Sequence, residues 1–271
     1  MRREWPRGLG AMRTMKISAV AIAAVLCLCA AAAQQILPEG VALKFTHGGH
    51  GSHSYYRYIP PKAPKDTPLP LMVMVAAANQ TGMNEIAGWS NIADANNVIM
   101  LGPNVGSLSA DWDELFDHPE WIHGAIEEVQ KEHPVDGRRM YLWGDSSGGA
   151  FAFYLACLES NYFAAAAVHG AVIRNFKFQI ADLAARKIPF AYYIGTRDGW
   201  WTLDQTRSVR DALTTRGFPV HYVELKGADH NFFAHREDVT GDAWEYLSQY
   251  ALDADPKFEP IDLSKIKHAL H

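Results

Sequence analysis

The feature that most constrains the fold of this 271-residue chain is a regular alternation of short, mostly apolar runs with longer segments of helical pattern. Continuous apolar runs are typical of strands that are covered on both faces. The runs are Leu71–Val75, Val98–Leu101, Met140–Trp143, Ala164–His169 and Phe190–Ile194, and Val220–Leu225 is a further predicted strand. The segments that indicate helices are Ile86–Ala95, Glu120–Glu132, Gly149–Leu158 and Leu203–Arg216. Alternating strands and helices form βαβ units, so the sequence predicts an α/β fold with a mostly parallel sheet and helices on both faces.

Two further strands near the N-terminal side predict a hairpin. Leu43–Thr46 and His53–Ile59 flank a glycine-rich stretch at residues 48–51. A glycine-rich turn between two strand-like runs is typical of an antiparallel pair. We therefore expect a hairpin ahead of the parallel part of the sheet.

The first 33 residues predict an export signal. Five Lys and Arg residues precede the uncharged run Ile17–Ala33, which ends in three alanines. A basic start, a short apolar run and small residues at its end are the parts of a secretory signal peptide. The run has 17 residues, whereas a membrane-spanning helix needs roughly 20 strongly apolar ones. We expect cleavage after Ala33, a secreted or periplasmic protein without stable membrane insertion, and one domain over residues 34–271.

Charge and cysteine content narrow the functional classes. The formal net charge is −5, and loss of the leader, with five basic residues and one acid, makes it −9. An acidic protein has no general attraction for nucleic acid phosphates, so a nucleic-acid partner is not expected. Cys27 and Cys29 leave with the leader, so Cys157 remains alone and no intramolecular disulfide is expected.

The strongest chemical motif is the pentapeptide Gly144-Asp145-Ser146-Ser147-Gly148. It follows the apolar run that ends at Trp143 and opens a helical segment, which is the context of a nucleophile elbow. Glycines two positions on either side of Ser146 let strand and helix approach closely. The sequence therefore predicts Ser146 as a nucleophile, with the backbone amide of Ser147 stabilising negative charge at the helix N-terminus.

Two loop residues are suited to activate this serine. A serine hydroxyl is a good nucleophile only when a histidine takes its proton and a carboxylate orients that histidine. Asp198 follows the run that ends at Ile194, and His230 follows the run that ends at Leu225. Their order after the serine, acid first and histidine second, is that of one large class of serine hydrolases. We predict Asp198 as the acid and His230 as the base, with Asp204 and His169 as alternatives.

A competing interpretation makes Ser147 the nucleophile. The stretch Asp145–Gly149 partly matches the Gly-Asp-Ser-Gly-Gly sequence of trypsin-like proteases. Those proteases are all-β proteins whose histidine and aspartate precede the serine. The alternating helices and strands of this chain argue against that interpretation.

With these residues in place, the chain resembles the esterase branch of the α/β-hydrolases that contains extracellular polyhydroxybutyrate depolymerases and feruloyl or acetyl xylan esterases. The resemblance extends from about Phe45 to Phe233. It is carried by Ser146, Asp198 and His230 in order, and by the segments Tyr55–Pro60, Gly88–Ser90, Ile92–Asp94, Val135–Tyr141 and Phe163–Ala167. It implies a serine hydrolase that forms an acyl-enzyme on an ester substrate and needs no cofactor.

One motif departs from that family. Its members usually carry His-Gly after the third strand, before the loop that supplies a second oxyanion donor, whereas this chain has Ala76-Ala77. Since the donor is a backbone amide, Ala78 is the predicted source. Losing such a donor typically costs about 10²-fold to 10³-fold in rate, so low catalytic efficiency is one expectation.

Three alternative functions remain open on the sequence. A peptidase of the prolyl-oligopeptidase type shares the elbow but usually has an additional large domain. A dienelactone-hydrolase-like enzyme normally uses cysteine as its nucleophile, and Ser146 argues against it. A non-catalytic binding protein on the same fold would be consistent with the missing His-Gly pair.

Aromatic and histidine clusters supply weaker predictions. Trp200 and Trp201 follow the predicted acid and Phe232 follows the predicted base, so they are candidates for a substrate pocket or for core packing. His47, His50 and His53 recur at every third residue. Strand and turn geometry does not bring such residues together, so no metal site is expected.

Overall fold

The computed structural model describes residues 37–48, 51–104, 112, 120–173 and 178–259. The predicted leader, residues 1–33, lies outside the described residues and stays a prediction, as do residues 49 and 50 of the expected turn. From Glu39 onward the described residues belong to one compact unit.

An eight-stranded sheet forms the centre of this unit, in the order β1-β2-β4-β3-β5-β6-β7-β8. The strands are β1 (Val41–Gly48), β2 (Gly51–Tyr58), β3 (Leu69–Val75), β4 (Ile99–Pro103), β5 (Val135–Asp145), β6 (Ala165–His169), β7 (Phe190–Gly195) and β8 (Val220–Leu225). β1 pairs antiparallel with β2, and β2 with β4. The remaining pairs, β4 with β3, β3 with β5, β5 with β6, β6 with β7 and β7 with β8, are all parallel. The predicted hairpin and the mostly parallel sheet are both confirmed.

Helices cover both faces of the sheet, as predicted. They are α1 (Gly82–Asn96), α2 (Glu120–Glu132), α3 (Ser147–Leu158), α4 (Gln179–Leu183), α5 (Leu203–Thr215) and α6 (Phe232–Leu247). Alternate residues of β3 divide between two apolar cores: Leu71 and Val73 pack with α2, α3, α4 and α5, whereas Met72 and Met74 pack with α1 and α6. Successive strand residues point to opposite faces, so the central strands are apolar throughout.

The structure corrects the predicted elements in a few places. β5 begins at Val135, well before the predicted Met140. The prediction missed its first half because those residues are polar and partly exposed. Helix α6 was missed, and it begins at Phe232, directly after the loop that carries His230. Helix α3 starts two residues earlier than predicted, at Ser147. Within the described part of the chain, the helices are too short or too polar to cross a bilayer.

Candidate active site

Ser146 lies at the sharp junction between β5 and α3. Its backbone has φ 52° and ψ −118°, a left-handed conformation that is unusual for a residue other than glycine. A Cβ atom on Gly144 would lie 2.4 Å from the carbonyl oxygen of Gly148, so the close approach of strand and helix requires glycine. The amide of Ser146 donates to the carbonyl of His169 on β6, at 2.8 Å. The turn therefore holds the serine at the carboxyl edge of the sheet.

The structure brings His230 to this serine. The loop after β8 places its Nε2 atom 3.0 Å from Ser146 Oγ. The Nδ1–H group on the other side of the ring donates to Asp198 Oδ2 at 2.7 Å. Gly170 has φ 57°, and a Cβ atom there would lie 3.0 Å from His230 Cε1, so the backbone after β6 packs directly against the ring. Hydroxyl, imidazole and carboxylate are thus aligned within hydrogen-bond reach.

Asp198 is enclosed and its hydrogen bonds are satisfied. Its side chain is 0% exposed. Besides the bond from His230, its Oδ1 atom accepts from the backbone amides of Trp200 at 2.8 Å and Trp201 at 2.9 Å. Asp204, the alternative acid, is 94% exposed in the first turn of α5 and pairs with Arg207. The geometry therefore favours Asp198 as the partner of the imidazole.

The other two alternatives lie outside the hydrogen bonds that join Ser146, His230 and Asp198. His169 is fully buried, and its Nδ1–H group donates to Asp145 Oδ1 at 2.8 Å, so it serves the residue next to the serine. The hydroxyl oxygen of Ser147 is buried and has no hydrogen-bond partner among the described residues. Neither His169 as the base nor Ser147 as the nucleophile fits this arrangement.

Both predicted oxyanion donors border the same cavity as Ser146. Ser147 is the first residue of α3, where backbone N–H groups have no partner within the helix. Ala78 lies in the loop after β3, and both residues line the cavity. That loop contains a turn in which Gln80 N–H donates to the Ala77 carbonyl, and Trp112 Nε1 donates to the Ala76 carbonyl at 2.8 Å. The alanines that replace His-Gly thus sit in a loop with its own hydrogen bonds.

The cavity above Ser146 has a volume of about 720 Å³ and mostly apolar walls. Its wall residues include Phe153, Tyr154, Val172, Ile173 and Ile180. Trp200 stands at this cavity with 76% of its surface exposed, and its ring centroid lies 5.9 Å from that of His230. An exposed indole at the wall of an apolar cavity offers a flat surface for a ligand.

Trp201 and Phe232 also line the cavity. Trp201 is half-buried, whereas Phe232 is buried and packs on Trp143 with ring centroids 4.9 Å apart. Phe232 therefore fits both predicted alternatives, since it packs in the core and also forms part of the cavity wall.

Of the three recurrent histidines, His53 has a described side chain. His53 stacks on Trp121 with ring centroids 4.5 Å apart, and the side chains of His47 and His50 lie outside the described residues. In the ranges that the structure describes, no group of three or more His, Cys, Asp or Glu side chains is arranged to hold a metal ion.

Sequence reasoning missed a buried acid below the site. Glu85 on α1 is fully buried and accepts a hydrogen bond from Trp143 Nε1 at 2.7 Å. Burial, and then the charge of Asp145, raise the pKa of Glu85 well above its usual range. Glu85, Trp89 and Ala93 recur at every fourth residue and are all buried, so the apolar stripe of α1 was the signal for this position.

Known proteins share this fold and part of this sequence. A bifunctional acetylxylan esterase/xylanase of Neocallimastix patriciarum is 23% identical over 229 residues, which are 72% of this chain and 33% of that protein. The structure of a thermostable esterase superposes with a TM-score of 0.62 at 18% identity, covering 79% of this chain and 64% of the other. A ferulic acid esterase gives a TM-score of 0.60 at 14% identity, with 77% and 98% covered. This chain spans a third of the first relative and less than two thirds of the second.

A family model settles the membership. The model of the dienelactone hydrolase family matches residues 116–255, more than half of the chain, including the elbow and both loops that reach it. The expectation that Ser146 argues against a dienelactone-hydrolase-like chain is therefore wrong as a statement about family, because the match spans the serine itself. The protein belongs to the dienelactone hydrolase family and has an esterase-like α/β-hydrolase fold.

Proposed function

We propose that this protein is a serine hydrolase that cleaves carboxylic esters through an acyl-enzyme. The observation that carries the proposal is the alignment of Ser146 Oγ, His230 Nε2 and Asp198, with distances of 3.0 Å and 2.7 Å along the chain of hydrogen bonds. A cavity opens directly above the hydroxyl. These are the parts that acyl transfer requires: a nucleophile, a base, a group that orients the base, and room for the acyl group.

In the first half of the proposed reaction, His230 takes the proton of Ser146 as Oγ attacks the ester carbonyl carbon. The backbone amides of Ser147 and Ala78 hold the negative charge that develops on the carbonyl oxygen. Asp198 keeps the imidazole in the correct tautomer and stabilises its protonated form. His230 then gives its proton to the departing alkoxide, which leaves as the alcohol and completes the acyl-enzyme.

In the second half, a water molecule replaces the alcohol. His230 takes one proton from the water, whose oxygen attacks the acyl carbon, and the same two amides hold the oxyanion. The bond between Ser146 Oγ and the acyl carbon breaks, and the proton returns from His230 to the serine. The carboxylic acid leaves, and the site is restored without a cofactor.

The proposed substrates are acetyl, feruloyl or hydroxybutyrate esters, small or polymeric. The apolar walls of a cavity of about 720 Å³ favour an acyl group larger than acetate, and Trp200 and Trp201 add flat surfaces for a ring. The names of two relatives, an acetylxylan esterase/xylanase and a ferulic acid esterase, support this class. We also propose that the protein acts outside the cytoplasm, since its first 33 residues predict a signal peptide.

The experiment combines active-site labelling with an acyl-chain panel. A fluorophosphonate probe should label wild-type protein, and the panel should contain p-nitrophenyl acetate and butyrate together with feruloyl and hydroxybutyrate esters. Ser146→Ala should abolish labelling and turnover. Ser208→Ala, which removes an exposed hydroxyl on α5, should leave both unchanged and serves as the matched control. A folded wild-type protein that is neither labelled nor active on any ester would show a non-catalytic binding protein instead.

A further inference from the structure

The loop Ala76–Gln80 has to hold the Ala78 amide in place without glycine. Two features described above and one more shape it: the Trp112 bond to Ala76, the turn from Ala77 to Gln80, and a left-handed Asn79 with φ 61°. The loop leads directly into α1, and the first turn of that helix carries Glu85.

Glu85 connects this loop to the strand that carries the nucleophile. Its Oε2 atom accepts from Nε1 of Trp143, which lies on β5 three residues before Ser146. The backbone N–H of Ala77, in the loop, lowers the pKa of Glu85 in part, against the larger effect of burial. Glu85 thus ties the helix turn that directly follows the loop to the strand that leads to Ser146.

A carboxyl group is a costly choice at this position. Glu85 is fully buried and does not line the cavity. Burial of a polar group destabilises the fold unless its hydrogen bonds are satisfied, and an apolar side chain of the same size would cost less. Its Oε1 atom has no regular hydrogen-bond partner among the described residues. Packing alone thus does not explain an acid here.

We propose that Glu85 is a positioning residue, which braces the loop Ala76–Gln80 against β5 and thereby keeps the Ala78 amide aimed at the oxyanion. This inference rests on the proposed ester hydrolysis. Because the oxyanion forms only during the reaction, loss of the brace lowers kcat and leaves KM nearly unchanged. A raised pKa favours the uncharged acid, so glutamine, which has the same shape and no charge, should replace it.

The test compares Glu85→Gln with Glu85→Met, which keeps an unbranched side chain and removes the acceptor. Glu159→Met is the matched control, because Glu159 is a second buried acid bonded to a ring N–H group, at the opposite end of α3. Turnover of p-nitrophenyl butyrate, thermal unfolding and hydrogen–deuterium exchange of a peptide that covers the loop are measured for each. We expect Glu85→Met to lose roughly 10-fold to 100-fold in kcat and to exchange faster in the loop. Glu85→Gln should retain most of the activity.

The outcomes separate positioning from general stability. Glu159→Met should lower the unfolding temperature without changing kcat or exchange in the loop. If Glu85→Met keeps the wild-type kcat, or loses kcat only in proportion to lost folded protein, the brace is refuted while the ester hydrolase stands. If Glu85→Gln is as damaged as Glu85→Met, the brace is refuted as well. A wild-type protein without any ester turnover overturns the proposed function and this inference together.

Discussion

The two ends of helix α3 carry the same kind of pair in different surroundings. At the N-terminal end, beside Ser146, the imidazole of His230 is hydrogen-bonded to Asp198. At the C-terminal end, the imidazole of His123 on α2 donates to Glu159, the residue that caps the helix. Each pair joins a histidine to an acid from a distant part of the chain. Only one of them lies in a cavity.

Solvent access and a third group distinguish the two pairs. The His230 side chain is 20% exposed, and its second ring nitrogen faces a hydroxyl. The His123 and Glu159 side chains are each 3% exposed. The ring of Phe258 stacks on His123 with centroids 3.6 Å apart, so the second pair is closed by aromatic packing. A histidine and an acid in contact therefore do not define a reactive site. The Ser146 hydroxyl and the cavity above it distinguish the first pair from the second.

The two ends of α3 also differ in how they affect a negative charge. The N-terminus of a helix favours negative charge, and its C-terminus disfavours it. An oxyanion beside Ser146 would gain from the first effect. Glu159 lies at the unfavourable end, and burial raises its pKa, although the hydrogen bond from His123 lowers it in part. The pair of His123 and Glu159 is thus a structural contact, and burying its acid costs electrostatic free energy.

The largest expected effect separates the two histidines. His230→Ala removes the base and should lower kcat on p-nitrophenyl butyrate on the order of 10⁶-fold, with little change in the unfolding temperature. His123→Ala should leave kcat unchanged but cost about 3 kcal/mol of stability, because it leaves a buried acid unpaired. Steady-state kinetics and urea denaturation measure the two effects. An inactive but fully stable His123→Ala protein would contradict the structural role of His123.

The next prediction concerns the acid at the reactive end. Asp198→Asn cannot hold the imidazole in the correct tautomer and should lower kcat on the order of 10⁴-fold. Asp204→Asn, which alters an exposed side chain that pairs with Arg207, should change kcat less than about 2-fold. Both proteins should remain folded by circular dichroism. Equal losses of kcat in the two variants would contradict the assignment of Asp198 as the acid.

Much of this site could be predicted because its residues lie in turns and loops that follow predicted strands. β8 and α2 match their predicted bounds, Val220–Leu225 and Glu120–Glu132, since each has a clear apolar pattern. Parallel strands bring the loops at their carboxyl ends to one edge, so the order of the chain already places Asp198 and His230 together. The structure then supplies the distances.

Tertiary contacts account for what the sequence could not predict. Helix α6 buries a narrow stripe that includes Val239, Ala243 and Leu247 among charged residues, so its pattern was too weak to recognise. Glu85 was missed because an acid in a helix usually faces solvent, and its partner Trp143 is 58 residues away in the chain. No local pattern encodes such a contact.

A smaller effect is expected in the pH dependence of stability. Since burial raises the pKa of Glu159 above 4.5, the folded state binds the proton more tightly than the unfolded state. This contribution to stability is complete below the unfolded-state pKa and is lost as pH rises through the raised folded-state pKa. Glu159→Gln has no such proton. As the pH rises above 4.5, the usual pKa of a glutamate, wild-type protein should therefore lose stability relative to Glu159→Gln, as followed by urea denaturation. A constant difference across that range would argue against a raised pKa.

The smallest effect is expected at Cys157, which lies near the C-terminal end of α3. It is a free and buried thiol, and burial raises its pKa, so the reactive thiolate is suppressed. Cys157→Ala should change kcat less than about 2-fold and cost on the order of 1 kcal/mol of stability, as loss of a small apolar group does. Iodoacetamide should leave the folded wild-type enzyme active and should modify the thiol only after unfolding. Because other members of the family were expected to use a cysteine nucleophile, this variant also tests whether the chemistry of this chain belongs to Ser146. If iodoacetamide inactivated folded wild-type protein but not Cys157→Ala, the result would assign the reactive group to Cys157 and not to Ser146.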